Sequence, residues 1–127
     1  MALIADRQQF STVEYGAGTT GAGLTITIPS VSGKRHAITG VQIYRSATAA
    51  LAGTASLTIT TTNLPDSMSW VVGNLMVAGG TQIDVDTVFS QALLSNASGT
   101  DTTIVMPAPG TAVLWNARVF YYLVAEL

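Results

Sequence analysis

A two-residue alternation of apolar and polar side chains constrains this chain more than any other feature. Leu24-Thr25-Ile26-Thr27-Ile28 alternates without a break, and a period of two sends successive side chains to opposite faces of a strand. The pattern returns where Ala55, Leu57 and Ile59 alternate with Ser56, Thr58 and Thr60. It returns again over Thr81 to Val88, where it sets Ile83 and Val85 inward and Gln82, Asp84 and Asp86 outward. No segment keeps a 3.6-residue apolar period over three turns, and Phe89 to Leu94 offers one helical turn at most. Turn chemistry punctuates the pattern at Pro29 to Gly33, Asn63 to Ser67, Gly79-Gly80 and Pro107 to Gly110. The expectation is an all-β chain, an antiparallel β-sandwich built as a jelly roll of seven to eight strands.

Residues 1–23 read as an extended N-terminal arm, and 24–127 as the sandwich domain. The arm ends in the hinge-like run Gly16 to Gly23. Its first fifteen residues suit a short helix or an edge strand, and the arm either folds back on its own domain or reaches a neighbour. In the strand Arg35 to Arg45, Ile38 lies on one parity and Val41 and Ile43 on the other, which a bulge at Gly40 reconciles. The strand Met68 to Val77 should be irregular at Gly73. From Thr111 to Val124, Val113, Trp115, Ala117, Val119, Tyr121 and Leu123 share one face. Leu114, Phe120, Tyr122 and Val124 share the other with Asn116 and Arg118. With both faces largely apolar, this strand should be central or covered on both sides.

Charge is scarce. Five Lys/Arg and seven Asp/Glu make up 9% of the 127 residues, against about 25% in an ordinary domain. A folded monomer of this size exposes on the order of 6,400 Å², or about one charge per 530 Å². Such a surface resists precipitation poorly, so much of it is expected to lie against other proteins. The net charge of −2 argues against a nucleic-acid partner, which calls for a basic patch. No apolar run reaches the length of a membrane helix. The absence of cysteine excludes disulfide scaffolds, zinc knuckles and thiol nucleophiles. Met1 to Arg7 lacks the basic and apolar regions of a secretory signal, so synthesis in a cytoplasm without export is expected.

No residue set announces a chemistry, and no catalytic residue, metal or cofactor is assigned. Asp84 and Asp86 are the one close carboxylate pair. As i and i+2 on a strand they would project from one face about 7 Å apart. They read first as solvent-facing residues that discourage sticking at a sheet edge. A calcium site and a glycosidase pair are weaker readings. His36, the single histidine, could join a triad with one of ten serines, but no Gly-x-Ser-x-Gly elbow is present. Beside Lys34-Arg35 it reads as a surface or interface hydrogen-bonder. Trp70, Trp115, Tyr44, Tyr121 and Tyr122 suit core packing before a sugar-stacking platform.

The stretch Ile28-Pro29-Ser30-Val31-Ser32-Gly33-Lys34-Arg35-His36-Ala37-Ile38-Thr39-Gly40-Val41 opens a strand with the pattern P-x-x-x-G-K-R-H-x-I-T-x-[VI]. Together with the Ala/Thr/Gly-rich strands and the C-terminal V-x-[VI]-x-[YF] strand, it resembles small virion proteins of tailed bacteriophages. The likeness is to head-decoration (cement) proteins of β-sandwich type. It covers residues 24–124 loosely, and Gly33 to Thr39 carry its specific part. The resemblance implies binding to the assembled shell at its symmetry axes, often as trimers, with no catalytic residues.

The expected function is therefore a non-enzymatic capsid decoration protein on the virion surface, a homo-oligomer, expected as a trimer, bound to the major capsid protein. Its contacts are expected at Ile4, Phe10 and Tyr15 in the arm and at the loop from Leu64 to Met68. The competing expectation is a tail or baseplate module that binds host glycan. No nucleic acid and no membrane are expected as partners.

Overall fold

The computed structural model describes residues 12–52 and 55–126. Among them the chain is all-β. The strands are β1 (Thr12–Ala17), β2 (Leu24–Ile28), β3 (Lys34–Ala47), β4 (Leu51–Ala52), β5 (Leu57–Thr62), β6 (Ser69–Val72), β7 (Leu75–Met76), β8 (Thr81–Leu94), β9 (Thr102–Met106) and β10 (Val113–Ala125). A single 3₁₀ turn, Pro65–Ser67, interrupts them. Two antiparallel four-stranded sheets result, a first of order β1-β10-β3-β8 and a second of order β2-β9-β5-β6. The two-residue strands β4 and β7 pair separately.

The sheets stack as a sandwich because each presents one apolar parity. In β2, Ile26 and Ile28 are buried while Thr25 and Thr27 are exposed, as the alternation requires. The first sheet brings Ile38, Val41, Ile43, Val85, Trp115, Ala117 and Val119 to the core, and the second brings Ile26, Ile28, Ile59, Val72, Ile104 and Met106. Burying each large apolar side chain favours the fold by about 1.5–3 kcal/mol relative to leaving it in water. A smaller cluster of Ala47, Met76 and Val113, with Leu51 against it, lies apart from this core.

The strand β3 has the kink expected near Gly40. Its register with β10 runs Phe120↔Gly40 and then Tyr121↔Ile38, so Thr39 is the extra residue. A Cβ on Gly40 would sit 3.3 Å from the Thr87 carbonyl oxygen and 3.5 Å from the Phe120 ring. The glycine lets Phe120 lie close across the bulge. The chain breaks between β6 and β7 at Gly73-Asn74, also as expected.

Several expectations change. Phe89 to Leu94 is not a helical turn but part of β8, because Leu93 and Leu94 pair with Ile38 and Ala37 and Phe89 and Leu93 pack on the core. Of the alternatives for the arm, the described part takes the edge strand folded on its own domain: Thr12 to Ala17 pair with β10 from Tyr121 to Asn116, since β10 would otherwise present an open ladder edge. Gly18 continues the association, donating its N–H to the Trp115 carbonyl at 2.7 Å. A Cβ there would stand 2.8 Å from that same oxygen. The strand β10 is central in its sheet, as expected, yet only its inner face is buried, from Val113 to Tyr121.

His36 is not a surface residue. It is 1% exposed and joins the two layers. Its Nε2 donates to the Pro29 carbonyl at 2.9 Å, so Nδ1 accepts from the Thr102 hydroxyl at 2.7 Å. Its ring meets that of Tyr121 edge-on at 5.8 Å.

Deleting residues 1–23 removes β1 and bares β10. We expect the truncated chain to lose at least about 2 kcal/mol, a drop of about 6 °C in Tm, measured by calorimetry against the full chain.

Candidate functional site

The one buried ion pair among the described residues comes from a second bulge. Against β3 the register of β8 passes from Ile43↔Val85 to Tyr44↔Ile83, leaving Asp84 without a partner on the ladder. The extra residue reverses the parity of everything before it. Asp84 therefore turns inward and Ile83 turns out to 69% exposure. The sequence alternation assigned these two residues the other way round.

Inside, Arg45 receives the carboxylate with both arms of its fork. Its Nε donates to Asp84 Oδ2 at 2.7 Å and its Nη2 to Oδ1 at 2.8 Å. Gln82 Nε2 donates to the same Oδ1 at 2.7 Å, and Arg45 Nη2 also reaches the Gly73 carbonyl at 2.5 Å. The side chains of the pair are 0% and 1% exposed. The guanidinium lies 5.0 Å from the Trp115 ring centroid, and Trp115 Nε1 donates to the Pro107 carbonyl at 2.7 Å. Every oxygen of Asp84 is committed to this network, so its chemistry is structural. A sequence signal for it existed. Arg45 shares the inward parity of Val41 and Ile43, and an inward arginine demands an acceptor.

The two outer faces of the sandwich differ sharply. The second sheet shows water mainly hydroxyls: Thr25, Thr27, Thr58, Thr60, Thr62 and Ser69 are exposed, and Val71, opposite Thr58 and 68% exposed, is the large apolar side chain among them. Within it the Thr62 and Thr103 hydroxyls bond at 2.7 Å. The first sheet shows a cross-strand grid ordered β1, β10, β3, β8. One row is Ala17, Asn116, Tyr44 and Ile83; the next is Tyr15, Arg118, Gln42 and Asp86; the next is Val13, Phe120, Gly40 and Val88. Tyr122 and Leu94 continue the apolar surface beyond the bulge, on either side of Ala37. Val88 is 84% exposed and Tyr15 53%. Aromatic and aliphatic side chains with one arginine, and charge confined to the middle row, make up the composition of an interface centre. An exposed sheet face of this kind, apolar and aromatic side chains flanking one polar row, marks an interaction site on a lone domain. On the same face a hollow of about 300 Å³ opens beside Gln42, Tyr44, Ile83 and Asp86.

The structure separates the residues singled out in the sequence. Asp84 lies inside while Asp86 is exposed on the outer grid, accepting from Gln42 Nε2 at 3.4 Å. They do not form a carboxylate pair on one face. Among the described residues no three His, Cys, Asp or Glu side chains gather to hold a metal. Tyr15 stands on the outer grid, its hydroxyl donating to Asn116 Oδ1 at 3.1 Å. Leu64 is 2% exposed and Met68 packs against the core, so the loop they share turns its apolar residues inward. Ile4 and Phe10 lie outside the described residues. Arg35 meets a carboxylate, Glu126, at 2.7 Å. Hydrogen bonds from Ser98 and Arg35 hold the Glu126 carboxyl below its ordinary value. Neither tryptophan is exposed.

Removing one partner of the buried pair strands the other charge. We expect Arg45→Met or Asp84→Leu alone to cost about 3–5 kcal/mol, and the double variant to recover most of the loss, read from urea unfolding. A pH effect follows from Tyr121. Burial raises its phenol above the ordinary value of 10.0, and the Glu14 carboxylate beside it adds to the rise. The folded state holds that proton more tightly than the unfolded chain does. Its contribution is complete below pH 10 and is lost as pH climbs through the higher folded value. Tyr121→Phe should flatten this alkaline loss in melts taken across that range.

No family model, curated protein or solved structure matches this chain, so its functional reading rests on the geometry of its own surface.

Proposed function

We propose that this chain is a non-enzymatic virion subunit, a capsid decoration protein that self-associates and holds to the major capsid protein of a tailed-phage head. The carrying observation is the apolar outer face of the first sheet, set against the hydroxyl lattice of the second. One face suits water and the other suits protein. The shortage of charge agrees with this, as does the likeness of Ile28 to Val41 to decoration proteins.

The strand order supports a jelly roll. Taking the eight strands of the two sheets in chain order, the first pairs with the eighth, the second with the seventh, the third with the sixth and the fourth with the fifth. This is the pairing of one long hairpin ribbon rolled upon itself into two sheets. Rigid modules of that type suit a lattice, where many weak contacts become strong together. For a glycan-binding tail module the two tryptophans give no platform, since both are turned toward the core, and the exposed aromatic side chains that remain, Tyr15 among them, stand on the face read here as a protein contact.

The test is sedimentation of the purified chain with shells assembled from the major capsid protein of the tailed phage whose genome carries this sequence. Saturable pelleting with the shells and a higher shell melting temperature are expected. Absence of pelleting at every ratio overturns the reading.

A further inference from the structure

The two charges on the outer grid stand in one row but two strands apart. At about 4.8 Å per strand, their backbones lie about 9.6 Å from each other. Arg118 leans the other way, its guanidinium 5.4 Å from the Tyr15 ring centroid. Among the described residues neither Arg118 nor Asp86 has an ion-pair partner. Asp86 sits beside the hollow of about 300 Å³, whose walls are mainly apolar. An exposed, aromatic-backed arginine and an unpaired carboxylate at a hollow are the two halves of one contact. The sheet keeps them apart within a single chain.

We infer that this face docks a second copy of the chain, about a two-fold axis lying in the interface along the strands near β3. Such an axis keeps the strand direction and reverses the strand order between copies, so β10 of one copy faces β8 of the other. Arg118 then enters the hollow beside the partner's Asp86, and the symmetry repeats the contact. In the adjoining row Phe120 meets the partner's Val88. An axis running across the strands would instead oppose Arg118 to Arg118 and Asp86 to Asp86, which like-charge repulsion disfavours. Twisted sheets related in this way pack face to face with their strands roughly aligned.

In this arrangement β10, β3 and β8 of one copy face β8, β3 and β10 of the other, and β1 overhangs. Three strands and five alternate residues of β10 span about 14 Å by about 27 Å, on the order of 400 Å² in projection, which places the contact at the small end of specific interfaces. The inference rests on the assembly reading for its purpose and on the face alone for its geometry.

Sedimentation equilibrium of the purified full chain tests it, with Asp86→Arg, Arg118→Asp and the double reversal alongside. Both positions are exposed, and circular dichroism checks that each variant is folded. A wild-type dimer is expected. Each single reversal should weaken dimerisation about tenfold or more, and the double reversal should restore it to within about threefold of wild type. A monomer, a trimer, or a dimer indifferent to the reversals overturns the contact. So does a dimer that forms only after residues 1–11 are removed, since that segment would then be the occupant of the face. A wild-type chain that pellets with shells yet never dimerises overturns this contact while the shell-binding reading stands.

Discussion

The Arg45–Asp84 pair sets the layout of both sides of the first sheet. A carboxylate can lie between two apolar layers only when its oxygens are met, and the fork of Arg45 with the amide of Gln82 meets them. Holding Asp84 inward requires the extra residue in β8. That same residue turns Ile83 outward, beside Tyr44. Without the bulge, Ile83 would join the core and Asp84 would join Asp86 on the surface. A buried ionic contact therefore creates part of the exposed apolar face, and core and surface are one design.

This bears on the charge deficit. Five Lys/Arg and seven Asp/Glu are few to begin with, and one of each sign is spent inside. Arg35 and Glu126 are engaged with each other at one end of β3 and β10. The broad faces are left with hydroxyls on one side and, on the other, aromatic and aliphatic side chains around Arg118 and Asp86. Threonine hydroxyls satisfy water without charge, and β-branching suits the pleated ladder. On the first sheet the polar groups are few, Asn116, Arg118, Gln42 and Asp86, and sit among aromatic and aliphatic side chains. Its apolar outer parity is the physical ground for placing this protein among other proteins.

Much of the fold was legible because period two survives wherever a strand is regular. The strands β2 and β5 follow their apolar and polar residues, and Gly40 announced its bulge by a parity break between Ile38 and Val41. The readings failed where a residue's surroundings come from distant segments. Leu64 is an apolar residue in a Pro-Asp loop, and only the closed sandwich shows that it points inward. His36 is polar and flanked by charge, yet Thr102 and the Pro29 carbonyl wait for it across the layers. Phe89 to Leu94 has no strong period because the ladder there is irregular, with Leu93 and Leu94 resuming the pairing after Val88.

By itself the sequence determined the all-strand class, the apolar parity of most strands and the poverty of surface charge, since these follow from residue type and local periodicity. Only the tertiary structure decided which parity of β8 faces in, which apolar face of β10 stays uncovered, and that Thr12 to Ala17 close a sheet edge. Each of those depends on a partner far away in the chain: Arg45 for Asp84, the second sheet for the inner side of β10, and β10 for β1. Local alternation carries no record of such partners, because hydrogen-bond and ion-pair satisfaction is settled across strands and not along them.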